Sequence, residues 1–305
     1  MTARYDGPVI DAHTHLWDLS MDRHPWLRPA GDFGPKGRLD RLKGKDYVLE
    51  HYRADVEGTQ VAASVHVEAL WDASRSPIEE TRWLETLDGG AFASRYVGAA
   101  AFGGDATEDV LREQASYERM RGIRQVVAWT PHPDRRMAPR DGILREAAWR
   151  RSVELLVELD LHLELLLYPY QADDVLALAR DLPDLPIVVN HIGSPIEQDA
   201  EGVARWRASI ATMAQAPNVL VKLSAAAAYP EEKSVDAMRP FVAPIVAELG
   251  ADRVLWGSDF PVGTLVGWPY ARYLEAYRTI LDERTVDEQR AVLFGTANRL
   301  YRLGL

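Results

Sequence analysis

Two histidines spaced i, i+2, His13 and His15, end a short run, Val9-Ile10-Asp11-Ala12-His13-Thr14-His15, that follows Pro8. Side chains alternate faces along a β-strand, so Asp11, His13 and His15 are expected on one side of it. Two imidazoles on one face at a strand's end can grip one metal ion or one substrate oxygen. A strand that only carries two polar inward residues has the same pattern, so the pair needs partners elsewhere.

The candidates fall at the ends of other apolar runs. They are His66 and Glu68 after VAASVHV, Arg124 and Gln125 within GIRQVVA, and Tyr168 after the run 161–167. Asn190 and His191 close PIVVNH, Lys222 and Ser224 close NVLVKLS, and Ser258 and Asp259 follow RVLWG. A single polar strand end is commonplace. A barrel with merely structural ends does not need histidines at its first and sixth strands and an aspartate at its eighth.

The elements that must position these residues alternate regularly. Strand-like runs at 9–15, 61–67, 95–102, 122–128, 161–167, 186–191, 218–224 and 253–258 are separated by helical patterns. Those patterns span 47–58, 77–87, 108–119, 142–159, 172–181, 203–213, 240–249 and 270–281, with a closing helix at 286–301. Several strands are apolar throughout, as parallel strands covered on both faces are. Eight βα units predict a single (β/α)8 TIM barrel over residues 1–305, whose active groups sit at the C-terminal ends of the strands. An open doubly wound sheet would announce a glycine-rich phosphate loop after its first strand, and His-Thr-His stands there instead.

Two irregular stretches, 16–46 and 129–141, are read as loops over the mouth. The first carries Trp17, His24, Pro25, Trp26 and Leu27, which suit an ordered flap better than a disordered tail. Arg124 has two readings. Its planar fork suits a substrate carboxylate, and it also suits an internal partner such as Glu68.

Composition narrows the classes. The chain has 305 residues, 47% hydrophobic, with 35 basic against 46 acidic side chains, a formal charge of −11. Without a basic excess a nucleic-acid partner is not expected. The absence of cysteine excludes disulfides, thiolate nucleophiles and thiolate metal sites. No apolar run approaches the ~18 residues of a membrane span, and residues 1–7 lack a signal-like apolar stretch. The expectation is a cytoplasmic protein acting on a small molecule, with self-association into a homo-oligomer left open.

The motifs DAHTH, NHIGSP, GSDFP and the closing FGTANRLY resemble the amidohydrolase superfamily. WD and PWL after the histidines, with HVEA, GIRQ and YPYQ, are similar to its lactonase-type branch in the amidohydrolase-2 set. That branch includes pyrone-dicarboxylate and sugar-acid lactonases, and the wider set includes decarboxylases of aromatic acids. The resemblance implies that His13, His15, His191 and Asp259 are both the metal ligands and the catalytic groups, with Asp259 moving the proton of the attacking water. It implies substrate contacts from Arg124, Glu68, Tyr168, Trp17 and Lys222. The superfamily's bridging lysine or histidine after strand five has no counterpart among Leu165, Leu166, Leu167 and Tyr168. One divalent metal is therefore expected rather than two, zinc first and manganese second, with a metal-free mechanism as the alternative. The implied activity is hydrolysis of a carboxylated or polyhydroxylated lactone. The alternatives are a metal-dependent non-oxidative decarboxylase of an unsaturated or aromatic acid, and an inactive barrel that only binds.

Overall fold

In a computed structural model, which describes residues 3–31 and 39–305, the eight strand-like runs form one parallel sheet in sequential order. The strands are β1 (Val9–Thr14), β2 (Val61–Val67), β3 (Arg95–Ala99), β4 (Met120–Val126), β5 (His162–Leu166), β6 (Ile187–Val189), β7 (Val219–Leu223) and β8 (Val254–Trp256). The helices that follow them in turn are α1 (Leu49–Val56), α2 (Ile78–Glu85), α3 (Thr107–Ser116), α4 (Ala147–Glu158), α5 (Ala172–Asp181), α6 (Ala200–Ala214), α7 (Val235–Leu249) and α8 (Tyr270–Leu281). This is the (β/α)8 barrel that the alternation of strand and helix patterns predicts.

Small and aliphatic side chains fill the barrel interior, among them Ala63, Val65, Val67, Val97, Val188 and Leu255. Its N-terminal end is plugged by the last segment of the chain. Tyr301 belongs to the interior cluster, its carbonyl accepts from Arg121 at the start of β4, and Arg95 at the start of β3 donates to the Arg302 carbonyl. The opposite end is left free for function.

The seam between β8 and β1 closes just beyond the strand ends. The Asp259 amide donates to the His13 carbonyl and the His15 amide to the Phe260 carbonyl, both at 2.8 Å. A Cβ on Gly257 would lie 2.6 Å from the His13 Cβ, so only glycine lets the two segments approach this closely.

Two sequence expectations are corrected. Asp11 does not share a face with His13. It points outward, accepting from Tyr52 of α1 at 3.1 Å and Tyr270 of α8 at 2.6 Å. The pairing of β1 with β2 shifts register between Asp11 and Thr14, and simple alternation fails at such a shift. The seventh helix starts at Val235 rather than at Pro240. Ser234 caps it, its Oγ accepting from the Ala237 amide at 3.2 Å, and Pro240 and Pro244 lie inside the helix.

The described part of the 16–46 flap is ordered by its aromatics. Trp17 is buried, donates from Nε1 to the Lys45 carbonyl at 2.8 Å, and meets Trp26 edge to face with centroids 5.4 Å apart. Residues 32–38 of that flap lie outside the described residues. Among the described residues no helix is long and apolar enough to cross a membrane.

Candidate active site

Four side chains converge at the C-terminal mouth. His15 Nε2 lies 3.3 Å and His13 Nε2 lies 3.6 Å from Asp259 Oδ1, and the ring centroids of His13 and His191 are 4.8 Å apart. All four residues are buried. His191 and Asp259 both hold left-handed backbone, with φ of 52° and 62°. Non-glycine residues there cost about 1–2 kcal/mol each, so the surroundings must impose the conformation. They do so through the Asp259 amide on His13, the Gly263 amide on the Asp259 carbonyl at 2.7 Å, and the His191 amide on Ser224 Oγ at 3.2 Å.

The hydrogen bonds also set which ring nitrogens face the centre. His15 Nδ1 lies 2.8 Å from the Val67 carbonyl, which can only accept, so Nδ1 carries a proton and Nε2 faces Asp259. His191 Nδ1 pairs with Ser224 Oγ at 2.9 Å, leaving its Nε2 for the cavity. Burial pushes the His191 pKa down to about 4 against the pull of Asp259, so the ring is neutral at pH 7. Burial, helped by the Lys222 charge, holds His13 well below its usual value. Burial alone would raise the Asp259 carboxyl, and the His191 and His15 rings together with the permanently charged Arg124 guanidinium turn the shift downward.

This donor set fits a divalent cation. His13 is fully buried and, among the described residues, neither of its ring nitrogens has a hydrogen-bond partner, which is costly for an imidazole. One ligand atom each from His13, His191 and Asp259 fall within 4.8 Å of one another. His15 stands outside that trio. With Nδ1 committed to Val67, its Nε2 and the Asp259 carboxylate are two acceptors 3.3 Å apart, an arrangement that needs a proton or a cation between them. Neutral imidazoles with one carboxylate suit zinc or another first-row metal.

The family model described as Amidohydrolase matches residues 10–303. The chain belongs to the amidohydrolase family. A relative from Sinorhizobium fredii, bearing the name uncharacterized protein y4mH, is 32% identical over 98% of this chain and 99% of its own length. A protein of Burkholderia ambifaria named L-fucono-1,5-lactonase is 28% identical over 96% of this chain and 95% of its own. Among solved structures, an amidohydrolase from Burkholderia multivorans with bound zinc is similar with a TM-score of 0.79, at 23% identity over 97% of this chain and 99% of that one.

In this amidohydrolase the mouth opens into a cavity that His15, His191, Asp259, Arg124 and Tyr168 help to line. Three of the residues expected to touch substrate are placed elsewhere. Trp17 is a core residue of the flap and does not line the cavity. Lys222 lies one layer below the mouth, inside the barrel, with Nζ 2.6 Å from Glu164 Oε2. Glu68 does not line the cavity either; it holds Arg124. Arg124 Nε lies 2.5 Å from Glu68 Oε1, and Nη2 donates to the Glu68 carbonyl at 2.8 Å.

Arg124 is thus held in an internal ion pair and also lines the cavity. Arg124→Lys keeps the charge but cannot span both Glu68 groups, so a loss of about 1–3 kcal/mol of stability is expected, read by denaturant unfolding. An unchanged midpoint would show that the fork does not anchor this wall.

Sequence reasoning gave Ser194 no role and did not foresee an apolar wall, although it set Trp26 in an ordered flap and read 129–141 as a loop over the mouth. Trp26, Met137, Leu166 and Ile196 line the cavity, yet three of them lie in irregular segments where no period marks them.

Proposed function

We propose that this amidohydrolase opens a lactone. Water adds to the ring carbonyl carbon, the ring C–O bond breaks, and the product is an open-chain hydroxy acid. The observation that carries this reading is the Asp259 carboxylate, ionised and set between His13 and His15 on the cavity floor. The lactonase name of the relative from Burkholderia ambifaria, similar over nearly its whole length, supports it.

Asp259 accepts a proton from the attacking water and later returns it to the ring oxygen as that oxygen leaves. Arg124 is placed to offset negative charge on the carbonyl oxygen, with Nε and Nη2 fixed on Glu68. His13, His191 and Asp259 would hold a divalent metal, with His15 beside them; zinc is the first choice and manganese the second. When bound, the metal would polarise the carbonyl and lower the pKa of water from 15.7 toward ~7.

The test is metal analysis of the purified protein, followed by a panel of γ- and δ-lactones read with a pH indicator and mass spectrometry. Ring opening with gain of one water is the expected result. Release of carbon dioxide from an unsaturated or aromatic acid, without ring opening of any lactone, would replace this reading with a decarboxylase. No turnover of either class with zinc or manganese supplied would leave a binding protein.

A further inference from the structure

The described walls of the cavity divide by polarity. At the floor stand His15, His191, Asp259 and Arg124, with Ser194, whose buried Oγ has no partner among the described residues, three residues from His191. Away from the floor the described lining is mostly apolar, with the phenols of Tyr168 and Tyr229 among it. Met137, Leu166 and Ile196 pack with Tyr168 in one small cluster, and Trp26, Leu39 and Leu70 face the cavity from the flap and the β2 loop.

Two of the polar atoms on these walls have partners outside the cavity. Trp26 Nε1 donates to the Ala69 carbonyl at 2.9 Å, and the Tyr168 hydroxyl donates to the Arg135 carbonyl at 2.9 Å. Arg124 commits Nε and Nη2 to Glu68. Its charge is therefore balanced from within and is not waiting for a substrate carboxylate. A polyhydroxylated ring carries several hydroxyls, each needing a partner when buried. Among the described residues the walls supply few beyond the reacting end, the Tyr229 phenol being the main one.

From this division we propose that the substrate is a lactone with an apolar body, carrying an alkyl or aryl substituent and few or no hydroxyls. Its carbonyl meets the histidine–aspartate floor, and its substituent lies between the Met137–Leu166–Ile196 cluster and the flap residues Trp26 and Leu39. The inference rests on the lactone-opening reading for its reaction, but the apolar preference stands on the cavity itself. Each methylene buried there contributes about threefold to fourfold in affinity. Each hydroxyl buried without a partner costs on the order of tenfold.

Two measurements test it. The first compares kcat/KM for a δ-lactone bearing a five-carbon alkyl chain with that for a polyhydroxylated δ-aldonolactone. The alkyl compound is expected to be better by at least ~10². The second uses the unreactive δ-lactams of the same two compounds, titrated calorimetrically into the metal-loaded protein. The alkyl lactam is expected to bind more tightly by a similar factor, with a negative heat-capacity change. Ile196→Asn and Met137→Asn, both at half-buried positions, are expected to shrink that preference by about tenfold each.

If neither lactone opens but the alkyl lactam still binds preferentially, the reaction assignment fails and the apolar-body assignment stands. Equal binding of the two lactams, preference for the hydroxylated one, or no binding of either overturns the apolar body.

Discussion

Asp259→Asn is expected to lower kcat by at least ~10², the usual size of a general acid–base contribution, with the fold intact. The amide copies the shape of the carboxylate but cannot accept a proton from water at neutral pH. Its effect on stability should be small or favourable, for a reason the geometry supplies. His15 Nε2 and the Asp259 carboxylate are acceptors 3.3 Å apart, and an asparagine can turn its NH2 toward the imidazole and donate. The backbone bonds that close the seam, Asp259 amide to His13 carbonyl and His15 amide to Phe260 carbonyl, do not involve the side chain. Steady-state rates, melting temperature and metal content are measured together on the same preparation. Lost turnover with an unchanged melting temperature is the expected pattern, accompanied by weaker metal retention because an amide is a poorer ligand. Turnover like the parent's in a folded variant would remove Asp259 from the mechanism.

The distribution of chemistry among the strands was legible in the sequence because barrels punctuate apolar runs with polar residues at one end. The strand expected at 61–67 is β2, Val61–Val67, residue for residue. His13, His191 and Asp259 come together at the mouth although 246 positions separate the first from the last. Facing was less legible than position. Asp11 was expected beside His13, and a register shift, which no periodicity records, turns it toward α1 and α8. Depth was less legible still. Lys222 and Ser224 both end an apolar run, but two residues of a strand are about 7 Å, enough to separate the mouth from the layer beneath it. Ser224 therefore bonds His191 while Lys222 is enclosed with Glu164. The loops that carry Trp26 and Met137 were read as lying over the mouth, but the wall they form with Ile196 was not, because patterning in separate loops carries no information on direction.

The enclosed pair gives the largest stability effect expected. Lys222 and Glu164 are both fully buried, with Nζ 2.6 Å from Oε2. Glu164 also accepts from Asn190 Nδ2 at 2.8 Å and the Tyr301 hydroxyl at 2.7 Å, and His162 Nε2 lies 3.1 Å away. Burial alone would raise the Glu164 carboxyl, but the Lys222 charge and the His162 contact hold it well below its usual value. A carboxyl depressed in the folded state contributes stability above its unfolded pKa, ~4.3, and loses it as pH falls through the folded value. Lys222→Met removes the counter-charge and strands the carboxylate in the barrel. A loss of about 3–5 kcal/mol is expected at pH 7. Glu164→Gln added to Lys222→Met removes the stranded charge and keeps an acceptor for Tyr301, so the double variant should recover most of that loss. Denaturant unfolding of the parent, both singles and the double at pH 7 supplies the cycle. Turnover per folded molecule should survive in Lys222→Met, since Lys222 does not line the cavity. If the double variant were as unstable as Lys222→Met alone, the lost hydrogen bonds and altered packing, not the unpaired charge, would account for the effect. A collapse of turnover at full stability would return Lys222 to the substrate.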